Sequence, residues 1–141
     1  MEEYETLVEL ADVLVPGAKQ AGIGLFLDHH LSVKREHCLL MIGYLGVPSP
    51  YIDFYSSSLD NIRSYCRSTY KAPVTQLTLQ QKQSLVDAIA QDAILEWQGF
   101  PASFFHFVLR ADAADVVYGT VSGFERLGIP YSAHISPTSN W

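Results

Sequence analysis

The chain of 141 residues is short of charge. Asp, Glu, Lys and Arg make up 17% of it, against about 25% in an ordinary soluble domain. A surface so poor in charge suits a chain covered by a large partner, and it also suits a compact monomer. Cations are the scarcer sign: nine Lys and Arg against fifteen Asp and Glu, a formal net charge of -6. They are scattered from Lys19 to Arg126. Binding to nucleic acid by counterion release needs cations gathered on one face, so the composition excludes that class of function. Attraction to an anionic membrane surface is excluded on the same ground. No apolar run approaches the ~20 residues that span a bilayer; the longest, Cys38 to Val47, is broken by two glycines. The start, Met1-Glu2-Glu3-Tyr4-Glu5, is acidic, unlike the basic first part of a signal peptide. Only Cys38 and Cys66 bear thiols. A disulfide between them would stabilise by about 3–4 kcal/mol in the chain-entropy model; a bridge and a structural free Cys stand as equal alternatives.

Recognisable catalytic patterns are also missing. Asp28-His29-His30 has the residue types of a metal or acid–base site, but neighbours on a helix point about 100° apart, so His29 and His30 cannot face one ion. The simpler expectation is one surface histidine and one facing the core. His106, within Phe104-Phe105-His106-Phe107, has no nucleophile placed beside it by the sequence and reads as a partly buried, hydrogen-bonded side chain. His134 lies in an irregular stretch, where polar residues more often serve function, and contact with a partner is its expected role. Gly22-Ile23-Gly24 lacks the third glycine of a dinucleotide fingerprint, and no strand precedes it. Gly119-Thr120-Val121-Ser122-Gly123 has the wrong spacing for a nucleophile elbow. Asp112 and Asp115 share a helix face at i, i+3, and a solvated face near Arg110 is expected for both.

What is present is helical periodicity. Leu7, Leu10, Ala11 and Leu14 predict a helix over 4–15, with glutamates at its positive end and Pro16-Gly17 as its stop. Ile23, Phe26, Leu27, His30 and Leu31 predict a second, from Gln20 to about Arg35. Residues 36–49 read as a short apolar segment and a loop. Tyr55, Leu59, Ile62 and Cys66 mark a third helix over about 51–70. Thr78 and Gln81 form a capping box that opens a fourth, carried by Leu85, Val86, Ile89, Ala90 and Ala93 and ended by Gln98-Gly99. Pro101 suits the first turn of a fifth, whose apolar face is so wide that core or partner must cover it. From Gly119 to Trp141 glycines, prolines and aromatics alternate, too apolar for a disordered tail. The expected architecture is all-α: one domain over 1–141, a bundle of about five helices with an irregular C-terminal segment.

Motifs at both ends carry a family resemblance. Leu10-Ala11-Asp12-Val13-Leu14-Val15-Pro16-Gly17 is followed by Ala21-Gly22-Ile23 and Phe26-Leu27-Asp28. Later come Leu77-Thr78, Gln81 and Leu85, then Pro101-Ala102-Ser103-Phe104-Phe105, Gly119, Gly123-Phe124 and Leu127-Gly128-Ile129-Pro130-Tyr131. In this order they resemble the gluconate 2-dehydrogenase subunit 3 family; residues 36–75 carry the resemblance least. It implies a helical small subunit with no catalytic, cofactor or metal residues of its own. The implied partner is a large FAD-containing catalytic subunit of the glucose-methanol-choline type, oxidising gluconate, glucose, fructose or a glucoside, with electrons leaving through a cytochrome c or an iron–sulfur cluster on another chain. The short 36–75 region resembles the glucoside 3-dehydrogenase-like branch. The resemblance also implies a periplasmic complex whose twin-arginine leader carries the folded partner across the membrane. This chain shows no Arg-Arg pair at its start, as a processed chain or a cytoplasmic member would.

The expected partner interface comprises Phe104, Phe105 and Phe107 on the fifth helix and Phe124, Tyr131, His134 and Trp141 beyond it. Two other readings compete. One is a free-standing helical adaptor or chaperone; the other is a small enzyme with a site around His29, His30 and His134.

Overall fold

The structure, a computed structural model, describes residues 1–120 together with 125, 127 and 128. Among the described residues there are six α-helices and no strand: α1 Glu2–Leu14, α2 Ala18–Ala21, α3 Ile23–Ser32, α4 Tyr51–Thr69, α5 Leu79–Ala90 and α6 Ala102–Tyr118. Five of them are long, which is the all-α bundle the periodicity predicts. Tyr131, His134 and Trp141, with Phe124, lie outside the described residues.

α1 buries Leu7, Val8, Leu10 and Ala11 and presents Glu2, Glu3 and Glu5 in its first turn. Its end is set by Val15, in extended conformation, ahead of Pro16. The second expected helix is two helices. Gly22 has φ +93, the left-handed conformation that ends α2 and opens α3, and a residue without Cβ adopts it at little cost. α3 stops at Ser32, earlier than expected; Val33 is extended, and the Ser32 hydroxyl donates to the His29 carbonyl. Lys34 and Arg35 therefore stand beyond the helix. Residues 33–50 form a strap with two 3-10 turns, Arg35–His37 and Met41–Tyr44.

α4 presents Tyr51, Phe54, Tyr55, Leu59, Ile62 and Cys66 to the core, as its spacing predicts. The capping box of α5 is formed: Gln81 N–H donates to Thr78 Oγ1 at 3.2 Å, and Thr78 N–H donates to Gln81 Oε1 at 2.9 Å. α5 ends at Ala90, eight residues before the expected Gln98. Asp92 turns the chain with φ +52, leaving Ala93 exposed while Ile94 returns to the core. The Asp92 carboxylate then accepts from Ser103 N–H at 2.8 Å and Ser103 Oγ at 2.6 Å. It caps α6 from a distance, because Pro101 has no side-chain acceptor to offer.

α6 is the central element and touches each of the other five α-helices. It buries Ala102, Phe105, Val108, Leu109, Asp112, Ala113, Val116 and Val117, a face wide enough to meet neighbours on several sides. Leu10, Ile23, Leu40, Ile42, Tyr55, Ile62, Leu85 and Ile89 complete the fully buried centre. One long ion-pair bridge crosses the exterior: Glu9 of α1 holds Lys19 of α2 and Lys82 of α5, each at 2.7 Å.

Candidate functional site

The groups with potential chemistry are dispersed by the fold. His29 is exposed and His30 buried, consistent with the roughly 100° between neighbours on a helix. The His30 Nδ1 accepts from Leu39 N–H at 3.3 Å, and Phe26 and His29 pack edge-on against the ring at 4.5 and 4.8 Å. Burial, then the neighbouring His29, lower its pKa, against a hydrogen bond with the His37 backbone. His106 is half-buried at a shallow hollow lined by Val13, Leu14, Gln83, Val86, Asp87 and Arg110. Burial and the Arg110 charge lower its pKa, and Asp87 opposes them. Among the described residues no three His, Cys, Asp or Glu side chains gather as a metal cage, and no helix is long and apolar enough to cross a membrane.

Asp112 corrects the sequence reading. Asp115 is exposed as expected, but Asp112 is fully buried beneath the strap. Its Oδ1 accepts from Met41 N–H at 2.8 Å and its Oδ2 faces Tyr55 Oη at 3.4 Å. Burial pushes its pKa up from 3.8 to about 7, with Asp115 adding to the rise and the Met41 and Tyr55 donors resisting it. The i, i+3 spacing to Asp115 could not signal this; the strap that covers Asp112 comes from 71 residues earlier in the chain. Cys38 and Cys66 are both buried free thiols, so the disulfide alternative is not realised here.

The aromatics of α6 divide. Phe105 is a core residue, tilted against Phe54 at 6.2 Å and Trp97 at 6.3 Å, and so cannot serve as the surface contact expected of it. Phe104 is partly buried, with Phe100 stacked on it at 5.4 Å and Phe54 edge-on at 5.6 Å. Phe107 is 52% exposed. Ala111, Ala114 and Tyr118 follow at i+4, i+7 and i+11 from Phe107 and continue one outward stripe, with Tyr118 45% exposed. Phe100, 46% exposed, extends it past the start of α6. The result is an uncharged face along the helix, flanked by exposed Arg110 and Asp115. Phe100 and Tyr118 were missed by sequence reasoning; the period of α6, extended outward instead of inward, would have found Tyr118.

A second exposed feature sits at the 91–100 loop. Leu95 is 97% exposed, yet the loop is braced. The Asn61 amide donates to the Gln98 carbonyl at 2.9 Å and accepts from Gln98 N–H at 3.1 Å. Between this loop and α4 runs an open groove of about 770 Å³, lined by Ser64, Tyr65, Ser68, Ile94, Leu95 and Glu96 among others.

Among the described residues the fold and surface thus define a helical chain built on one core, with an uncharged aromatic stripe along the outer face of α6. The family model for gluconate 2-dehydrogenase subunit 3 matches residues 1–133, and the chain belongs to that family, whose members are subunits of a dehydrogenase complex. The match runs through residues 36–75, where the motifs are sparsest. Neither the curated proteins nor the solved structures searched contain a match.

Proposed function

We propose that this chain is a non-catalytic small subunit that binds and stabilises the FAD-containing catalytic subunit of a sugar dehydrogenase. The observation that carries the reading is the family match over residues 1–133. The surface supports it: the outer stripe of α6 combines aromatic anchors with an absence of charge, the composition found at the centre of protein interfaces. In this reading Phe107 and Tyr118 are the anchors, Phe100 and Phe104 form the adjoining apolar platform, and flavin chemistry stays with the partner. Export alongside that partner to the periplasm, and electron transfer onward to a cytochrome c, complete the proposal.

The test is affinity capture of the tagged chain from its native host, with mass spectrometry and an absorption spectrum of the eluate. A large co-purifying flavoprotein that reduces a dye with a sugar supports the proposal and identifies the substrate. Phe107→Glu, placed on an exposed position, should abolish co-purification while leaving the helical circular dichroism spectrum intact. A lone, colourless chain, or capture undiminished in the variant, overturns the subunit reading or the assigned surface respectively.

A further inference from the structure

The strap over residues 33–50 is held by two buried side chains from different helices. His30 of α3 accepts from the Leu39 amide at 3.3 Å, and Asp112 of α6 accepts from the Met41 amide at 2.8 Å. The two pinned amides flank Leu40, which is fully buried. The pins differ in chemistry. An imidazole accepts a hydrogen bond only when neutral; in the imidazolium both ring nitrogens are donors. A carboxyl group keeps an acceptor oxygen in either protonation state, so the Met41 bond survives titration of Asp112. Cys38 and Ile42 are buried on either side of the pins.

We propose that the strap is a proton-operated latch, closed while His30 is neutral and released at its Leu39 end when His30 takes up a proton, with Asp112 as the fixed pin. The groups facing His30 are the His29 ring on its own helix, the Phe26 ring, and the Leu39 amide and His37 backbone of the strap. Those facing Asp112 are Met41 on the strap, Tyr55 on α4 and Asp115 on α6, with Cys38 acting on Tyr55. His29 resists a second positive charge beside it and so favours the closed state. A protonated His30 loses its acceptor and places a donor nitrogen against the Leu39 N–H. The arrangement is independent of what binds the α6 stripe.

Amide hydrogen exchange of the whole chain, corrected for intrinsic rates, tests this at residue resolution. Between pH 7.5 and pH 5 the protection of Leu39 should fall about tenfold, the equivalent of one lost hydrogen bond, while Met41 stays constant. In His30→Asn, whose side-chain oxygen can accept from Leu39 without titrating, Leu39 protection should no longer depend on pH. Equal Leu39 protection at both pH values, a parallel loss at Met41, or the same fall in the variant would overturn the latch. Should the variant not fold, the wild type decides: the Leu39 profile must share its midpoint with the His30 titration read from imidazole nitrogen shifts, and a displaced midpoint refutes the proposal.

Discussion

Asp112 and His30 tilt the pH dependence of stability in opposite directions. Folding raises the Asp112 pKa from 3.8 to about 7, so the folded chain keeps a proton that the unfolded chain releases. Its contribution is fully present below about 3.8, falls as pH rises, and is lost through about 7. Asp112→Asn retains an acceptor for Met41 and a donor for Tyr55 without the ionisation. The variant should be more stable than the parent at pH 8 by about 1–3 kcal/mol and nearly equal at pH 4, read from urea unfolding at each pH. His30 has its folded pKa lowered below 6.5. Its contribution is present above 6.5 and is lost as pH falls through the lowered value. Cys66 is a spectator at this scale: burial pushes its thiol up to about 11, which keeps its thiolate scarce near neutrality.

Among the elements, α5 and the α2–α3 pair illustrate opposite cases. The capping box of α5 is local, an i, i+3 pair within four residues, and therefore written in Thr78 and Gln81. Thr78→Ala should cost about 1 kcal/mol, measured by chemical unfolding with an unchanged slope. Gly24 is not local: Tyr4 of α1 lies directly over it, and a Cβ there would collide with the phenol ring and hydroxyl. Gly24→Ala should lower the melting temperature, and Tyr4→Ala in the same chain should recover part of the loss; additive losses would refute the contact as the cause. The early end of α5 is also tertiary. Asp92 leaves the helix to cap α6, eleven residues away, and Asp92→Ala should fray the first turn of α6, seen as faster exchange of the Ser103 amide.

At the scale of the described residues, five long helices and the strap enclose one core, and an uncharged strip of α6 faces outward. Phe107→Glu tests that strip as a docking face. A paired measurement on Leu95→Glu, at the braced loop, tells whether the partner reaches that side: loss of capture in both variants means a footprint extending beyond α6. Much of this fold was legible in the residues. The apolar spacings of α1 and α4, the capping box and the proline before α6 place the starts of those elements within a few residues, because each signal depends on neighbours in the chain. The candidate site was half legible. Phe104 and Phe107 were picked out by type, but Phe105 between them turned inward, and that choice depends on where Phe54 and Trp97 stand.

The sequence alone determined the all-α class, the starts of α1, α4, α5 and α6 to within about two residues, and the family, because these rest on composition, period and motif order. Only the tertiary structure decided that Asp112 is buried and His30 pins a strap, that the expected second helix breaks at Gly22, that both cysteines are buried free thiols, and which side of α6 faces outward. Each of those outcomes rests on contacts between segments far apart in the chain, whose packing no local pattern encodes.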